Sequence, residues 1–329
     1  FHWLVSVPKK EDDIVLVMAP LFHAAGSGGV IANIWTLGTH VTLAVFDPKT
    51  ALDLIAQHGI TDSLGVPTML AAIAEEQLIR PRKIDTLRTL AHGGSPIATE
   101  ILRRTHSAFP GAELVEVYGA TELSPLCTVL NNEQNLINSP LARSCGRPTV
   151  GNEIDILDPS GHTLLSGEIG EVVVRGANVM QGYWNKPEQT AAVLKDGAYW
   201  TGDLGYMDDQ GYVFLVDRSK DMIVTGGENV YCTEVEEVLY QHPAILEAAV
   251  FGVPDDKWGE AVWAVIVPRE GNETESAQII EFCRERIASY KVPKGIDVQL
   301  DPLPKSGPGK VLKRELRAPH WEGQERSVN

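Results

Sequence analysis

The sequence predicts a multidomain chain of α/β and α+β character, and three observations carry that prediction. Its 329 residues exceed a usual single domain about twofold, so two or three separate cores are expected. Residues 1–143 alternate strand-like and helical patterns, as a parallel-type sheet covered by helices does. From Ser144 the texture changes to short strands punctuated by turns, and after Asp217 mixed patterns return. The expected organisation is part of a large domain, with its α/β portion over 1–143 and a β-rich barrel lobe over 144–216. A smaller, mobile C-terminal α+β domain follows over 217–329.

Each element has a local reason. Asp47-Pro48 opens a helix with Leu52, Ile55 and Ala56 on one face, and Gly59 ends it. Pro67 starts a second helix through Met69, Leu70 and Ile73. Thr86 to Ala91 reads as a strand, Ile97 to Ala108 as a helix and Glu113 to Val117 as a strand. Both strands run into glycine, at Gly93-Gly94-Ser95 and at Gly119-Ala120-Thr121. Parallel sheets bind ligands at the carboxyl ends of their strands, where glycine admits close backbone approach. In the β-rich part, Glu153 to Leu157, Glu171 to Arg175 and Tyr212 to Val216 are strands, with Asp158-Pro159-Ser160-Gly161 as a turn. Beyond Asp217, helices are expected over Thr233 to Tyr240 and Ser276 to Ala288, and strands over Ala248 to Gly252 and Val262 to Val267.

Composition excludes several classes. With 43% hydrophobic and 22% charged residues the chain is globular rather than disordered. A formal charge of −16 argues against a nucleic-acid partner, so an anionic ligand must meet locally placed cations or backbone amides. Cys127, Cys145, Cys232 and Cys283 lie far apart without zinc or disulfide spacing, which fits a reducing cytoplasm. No apolar run of membrane-spanning length is present, and no secretory leader is visible. Asn272-Glu273-Thr274 matches a glycosylation sequon but reads as a polar surface turn. Gly309-Lys310 lacks the rest of a Walker loop, Gly93-Gly94-Ser95-Pro96-Ile97 the last glycine of a nucleophile elbow, and Gly26-Ser27-Gly28-Gly29 the dinucleotide fingerprint.

What remains is an ordered series: Pro20-Leu21-Phe22-His23-Ala24-Ala25-Gly26, His92-Gly93-Gly94-Ser95-Pro96 and Tyr118-Gly119-Ala120-Thr121-Glu122. Tyr199-Trp200-Thr201-Gly202-Asp203-Leu204-Gly205 follows, then Asp217-Arg218-Ser219-Lys220-Asp221 with Gly226-Gly227-Glu228-Asn229, then Pro304-Lys305-Ser306-Gly307-Pro308-Gly309-Lys310. In this order they resemble the adenylate-forming superfamily, over essentially the whole chain. Its members join a carboxylic acid to ATP as an acyl-AMP and pass the acyl group to a thiol.

The resemblance implies roles. Lys310 matches the cation that offsets charge at the α-phosphate, where electrostatic stabilisation is usually the largest catalytic contribution. Thr121 matches a phosphate-binding hydroxyl, Glu122 a Mg²⁺ ligand and Tyr118 a surface for adenine. Gly93, Gly94 and Ser95, with Gly119 and Ala120, line the adenosine and acyl sites. Asp203 and Arg218 match ribose partners, and His23 gates the acyl pocket. Lys220 matches a hinge about which the C-terminal domain rotates, bringing Gly226, Gly227 and Glu228 toward coenzyme A. Taken singly, Tyr118 also suits a core, Glu122 a helix N-terminus, Asp203 a turn before glycine, and Lys220 and Lys310 a solvated surface.

Nothing between Phe1 and Pro20 resembles the family's Ser/Thr/Gly-rich phosphate loop, and Val7-Pro8-Lys9-Lys10 has only its Pro-Lys pair. A fragment of a longer synthetase, impaired in adenylation by itself, is therefore the expectation. His23 stands where peptide-synthetase domains place an Asp for an α-ammonium, so amino acids are disfavoured. The small residues Ala24 to Ser27 leave room for a fatty or aromatic acid, and residues 217–237 look most like fatty acyl-CoA synthetases. The rivals are an aryl-CoA ligase, a non-catalytic nucleotide- or CoA-binding remnant, and a luciferase-like oxygenase sharing every motif. The oligomeric state is not legible.

Overall fold

Residues 1–7, 9–272 and 275–322 are described by a computed structural model. Pro8, and Glu273 and Thr274 of the sequon, lie outside the described residues. Contacts divide the chain into two units. The first comprises Phe1–Thr201, Gly205–Leu215 and Gly307–Gly309; the second comprises Gly202–Leu204, Val216–Ser306 and the chain from Lys310 onward.

In the first unit, β1 (Ile14–Val17), β2 (Thr39–Thr42), β3 (Asp62–Gly65), β4 (Thr89–Gly93), β5 (Glu113–Tyr118), β6 (Thr128–Leu130) and β7 (Arg147–Pro148) form one sheet. Its order is β2-β1-β3-β4-β5-β6-β7. The neighbours from β2 to β5 are parallel, and β6 and β7 add antiparallel edges. Helices α1 (His2–Ser6), α2 (Ala24–Trp35), α3 (Pro48–His58), α4 (Pro67–Ile79) and α5 (Thr99–Ala108) accompany the strands.

The α3 helix forms for the reasons read in its sequence. Asp47 caps it by accepting from the Thr50 backbone N–H at 2.8 Å, Pro48 occupies its first turn, and Gly59 leaves it at φ +62. Its inward face buries Leu52 and Ile55 completely beside Leu70 and Ile73 of α4. Each such side chain contributes about 1.5–3 kcal/mol relative to exposure.

Several boundaries differ from the sequence reading: the helix expected from Ile97 starts at Thr99, and the strands expected over Ala248 to Gly252 and Val262 to Val267 extend over Ile245–Asp255 and Gly259–Pro268. The strand expected over Thr86 to Ala91 is registered from Thr89 to Gly93, with the Arg88 backbone bonded to Thr61 and Glu113 just before it. Thr86 donates instead to the Ile60 carbonyl at 2.9 Å, while the Arg88 side chain leaves the sheet for Asp12 and Asp13. The helix expected over Ser276 to Ala288 stops at Arg284, where the N–H groups of Arg286 and Ile287 both turn back to the Cys283 carbonyl.

The β-rich stretch supplies β8 (Asn152–Leu157), β9 (Gly170–Gly176), β10 (Leu194–Lys195), β11 (Ala198–Met207) and β12 (Val213–Arg218), with α6 (Pro187–Val193) between β9 and β10. They pair in the order β10-β11-β9-β8, with β12 against β11. In the second unit, β13 (Ile223–Thr225), β14 (Glu228–Val230), β15 (Ile245–Asp255), β16 (Gly259–Pro268) and β17 (Gly295–Val298) form a further sheet, packed by α7 (Cys232–Tyr240) and α8 (Ser276–Arg284). A last helix, α9, spans Lys313–Arg317. Among the described residues no helix is long and apolar enough to cross a membrane.

Candidate active site

Adjacent parallel strands β4 and β5 deliver two glycine loops at their carboxyl ends. Gly93 pairs with Val117, and a Cβ on Gly93 would stand 2.1 Å from the Val117 carbonyl oxygen. Gly94 follows at φ +85 and turns the chain outward toward Ser95. After Tyr118, a Cβ on Gly119 would stand 1.8 Å from the Pro125 carbonyl oxygen. Ala120 leads into a short 3₁₀ turn over Thr121–Leu123, which leaves Thr121 exposed. Tyr118 is 9% exposed and packs with Leu123 and Cys127.

The α2 helix approaches the same loop, because a Cβ on Gly28 would lie 3.7 Å from Pro125 Cγ. His23 caps this helix, its Nδ1 accepting from the Ala25 backbone N–H at 3.3 Å. That bond places the proton of a neutral His23 on Nε2. The Gly93 and Gly119 loops, Thr121 and Glu122 after the second, and the helix that His23 caps all belong to the first unit.

Glu122 has a partner that sequence reading missed. The Tyr183 hydroxyl donates to its Oε1 at 2.7 Å, and the Glu122 carbonyl accepts from the Met180 N–H at 2.8 Å. Tyr183 is fixed in turn, since its backbone N–H donates to Thr190 Oγ1 of α6 at 2.9 Å. Burial, then the Glu122 carboxylate, push the Tyr183 hydroxyl above its ordinary range, so it stays a donor at neutral pH. The local signal was Gly182 at φ +147 before an aromatic pair, but nothing local tied it to Glu122.

The second unit carries the other sequence-predicted residues. Arg218 Nε lies 3.4 Å from Asp203 Oδ1, with the arginine side chain 65% exposed and the aspartate 18%. A pair this exposed contributes little stability. Asp203 sits within the ten-residue strand β11 rather than in a turn. Asp217, just before Arg218, is buried; its Oδ1 accepts from the Arg218 N–H at 2.8 Å and its Oδ2 from the Cys232 N–H at 2.6 Å. Burial pushes its carboxyl up to about 6 against the pull of Lys313 and these N–H groups.

Lys220 lies exposed in the turn after β12, where the Asp221 N–H donates to the Arg218 carbonyl at 2.9 Å. Gly226 and Gly227, at φ +60 and +86, join β13 to β14 with Thr225 facing Glu228. Positive φ at both central residues is what a tight two-residue hairpin of this hand requires. Lys310 closes a loop on Ser306: the Ser306 N–H donates to the Lys310 carbonyl at 2.8 Å, and the Lys310 N–H to Ser306 Oγ at 3.1 Å. The first unit offers glycine-lined backbone, a hydroxyl and a carboxylate, and the second an acid–arginine pair and a loop-borne cation.

Comparison with known proteins adds a family. Residues 2–184 match the AMP-binding enzyme family and residues 234–310 its C-terminal domain. The chain is 41% identical over 315 residues to feruloyl-CoA synthase of an Amycolatopsis species, covering 95% of this chain and 63% of that protein. It is 37% identical over 318 residues to the long-chain fatty-acid CoA ligase of Bacillus subtilis, covering 95% and 55%. Among solved structures it resembles o-succinylbenzoate coenzyme A synthetase from Bacillus subtilis in complex with ATP and magnesium ion. That match has a TM-score of 0.82 and 32% identity, and covers 96% of this chain and 63% of that one. The chain therefore spans 55–63% of the length of these curated relatives.

Proposed function

Because the chain belongs to the AMP-binding, adenylate-forming enzyme family, we propose that it serves an AMP-forming acid–CoA ligase. The carboxylate oxygen of an acid attacks the α-phosphorus of ATP, the bond to the β-phosphate breaks, and pyrophosphate leaves. The sulfur of coenzyme A then attacks the acyl carbon, its proton departs, and AMP leaves. The observation that carries this reading is the convergence of the Gly93 and Gly119 loops at adjacent strand ends, with Thr121 and Glu122 directly after the second.

In this reading Thr121 donates to phosphate, Tyr118 borders the adenine and Gly93, Gly94, Ser95 and Ala120 line the adenylate. Asp203 accepts from ribose hydroxyls beside Arg218. Lys310 sets its charge against the α-phosphate, and Lys220 is the hinge between half-reactions, with Gly226, Gly227 and Glu228 serving the thiol. The Glu122 carboxylate suits Mg²⁺, because Tyr183 takes Oε1 and leaves Oε2 as a hard oxygen ligand. When bound, Mg²⁺ supplies positive charge against the phosphates.

In a longer synthetase that contains this chain, Tyr183→Phe is expected to raise the Mg²⁺ concentration for half-maximal adenylation about tenfold, with the maximal rate reduced less, because loss of an orienting partner commonly costs 10–100-fold in metal affinity. A Mg²⁺ titration of both forms checks it.

A fatty acid is the proposed substrate, supported by the small residues Ala24 to Ser27 at the start of α2. The identity to a feruloyl-CoA synthase favours a second reading, an aromatic acid. The test supplies synthetic decanoyl-AMP or feruloyl-AMP together with coenzyme A and measures acyl-CoA release, alongside binding of the matching acyl-sulfamoyl adenosines. Release from one acyl-AMP well above the uncatalysed rate identifies the substrate class. Neither binding nor release with any acyl-AMP would refute the ligase reading.

A further inference from the structure

Beneath the two glycine loops lies a buried cluster with no part in the chemistry above. His92 precedes Gly93 on β4 and pairs in register with Glu116, two residues before Tyr118 on β5. Glu133 opens the short turn after β6, the strand that pairs with β5 on its other side. His92 and Glu133 are fully buried, with Nε2 and Oε2 2.6 Å apart. One ligand-type atom from each of His92, Glu116 and Glu133 lies within 4.8 Å of the others. Glu133 is held from its flanks: the Asn132 N–H donates to Glu113 at 3.1 Å, and Gln134 accepts from the Leu114 N–H at 2.8 Å.

Two carboxylates and one imidazole, all charged, would leave an uncompensated negative charge away from water, which is costly. Among the described residues no donor reaches Glu133 Oε1, so nothing outside the cluster solvates that charge. One added proton removes the excess. A metal ion fits less well, because two ligands of one tetrahedral zinc stand about 3.4 Å apart at ordinary bond lengths, and Nε2 and Oε2 are already closer than that.

We propose that His92, Glu116 and Glu133 form a proton-holding brace, in which a neutral Glu116 donates to Glu133 and so positions the Gly93–Ser95 and Tyr118–Glu122 loops. Burial first, then the Glu133 carboxylate, push Glu116 up to about 8, with His92 opposing. Burial works against charge on His92 but is outweighed by Glu133 and Glu116, which raise it. The Cys145 thiol also faces Glu116, and burial keeps it protonated. These three are the titratable groups facing Glu116 among the described residues. The assignment of the loops to an adenylate rests on the ligase reading; the proton on Glu116 does not.

The test compares this chain with Glu116→Gln, whose amide keeps the donor and cannot ionise. Binding of an acyl-sulfamoyl adenosine by the unsubstituted chain is expected to weaken about thirtyfold between pH 7 and pH 9.5, as the competent fraction falls, and to change little in Glu116→Gln. Folding stability gives a second readout. A carboxyl raised in the native state stabilises fully below its unfolded value, and that contribution is lost as pH rises toward the folded value. Relative to Glu116→Gln, the unsubstituted chain should therefore lose stability between pH about 4.5 and about 8 and then run parallel. Parallel stability profiles throughout, equal pH dependence of binding, or failure of Glu116→Gln to fold at pH 7 would overturn the brace. So would stoichiometric zinc bound by the unsubstituted chain and not by the variant. Absent analogue binding at every pH, with the stability difference intact, would count against the adenylate reading and leave the proton on Glu116 supported.

Discussion

In a longer synthetase that contains this chain, Lys310→Ala is expected to slow acyl-adenylate formation about 10²–10³-fold, the usual loss when one group aimed at developing transition-state charge is removed. Acyl transfer from supplied acyl-AMP to coenzyme A should stay within about threefold, because a group acting in one half-reaction leaves the other unchanged. The reason lies in the charges: carboxylate and ATP repel, and the chain as a whole is acidic at −16, so a cation at the α-phosphate has a large share of the barrier to offset. Lys310 is carried on a loop whose own backbone is closed by Ser306 at 2.8 and 3.1 Å. Truncating the side chain therefore removes the ammonium and leaves the loop's hydrogen bonds in place. Hydroxylamine trapping of the adenylate, run beside acyl-CoA release from synthetic acyl-AMP, separates the two half-reactions. Equal losses in both would show that Lys310 acts through folding rather than through charge.

The sequence made the local devices readable and the long-range ones not. The α3 helix was legible because Asp47, Pro48 and Gly59 each act within a turn of their own position. The loops at Gly93 and Gly119 were legible because apolar strands run directly into glycine. By contrast α2 holds Gly26, Gly28 and Gly29, residues of poor helix propensity, and tertiary contact rather than local preference sets its course. The Arg88 side chain reaches Asp12 and Asp13, some 75 residues earlier in the chain, a contact that no local pattern encodes. The loop residues proposed for the site were picked out by their order along the chain. Tyr183 and Glu133 were not, since each acts only through a partner brought close by folding: Glu122, 61 residues away, and His92, 41 residues away. No periodicity or spacing encodes a side-chain hydrogen bond at that distance.

Gly119→Ala is expected to damage the first unit strongly for a single added carbon. The new methyl would stand 1.8 Å from the Pro125 carbonyl oxygen, 2.8 Å from its carbon and 3.0 Å from Leu126 Cα. All three are backbone atoms, so no side-chain rotation relieves the clash and the loop must move as a whole. Overpacking of this kind costs about 3 kcal/mol, the upper part of the usual range, which in a domain of about 200 residues lowers Tm by about 6–12 °C. The same displacement carries Thr121 and Glu122, two and three residues on, so binding of an acyl-sulfamoyl adenosine should fall with the Tm. Gly111→Ala is the matched control: a Cβ there meets nothing within 4 Å, and its cost should stay within about 0.5 kcal/mol, as for ordinary surface changes. Calorimetric melting of both variants decides the matter. If Gly119→Ala melts with Gly111→Ala, the close approach of the Gly119 loop to Pro125 is not what holds the site.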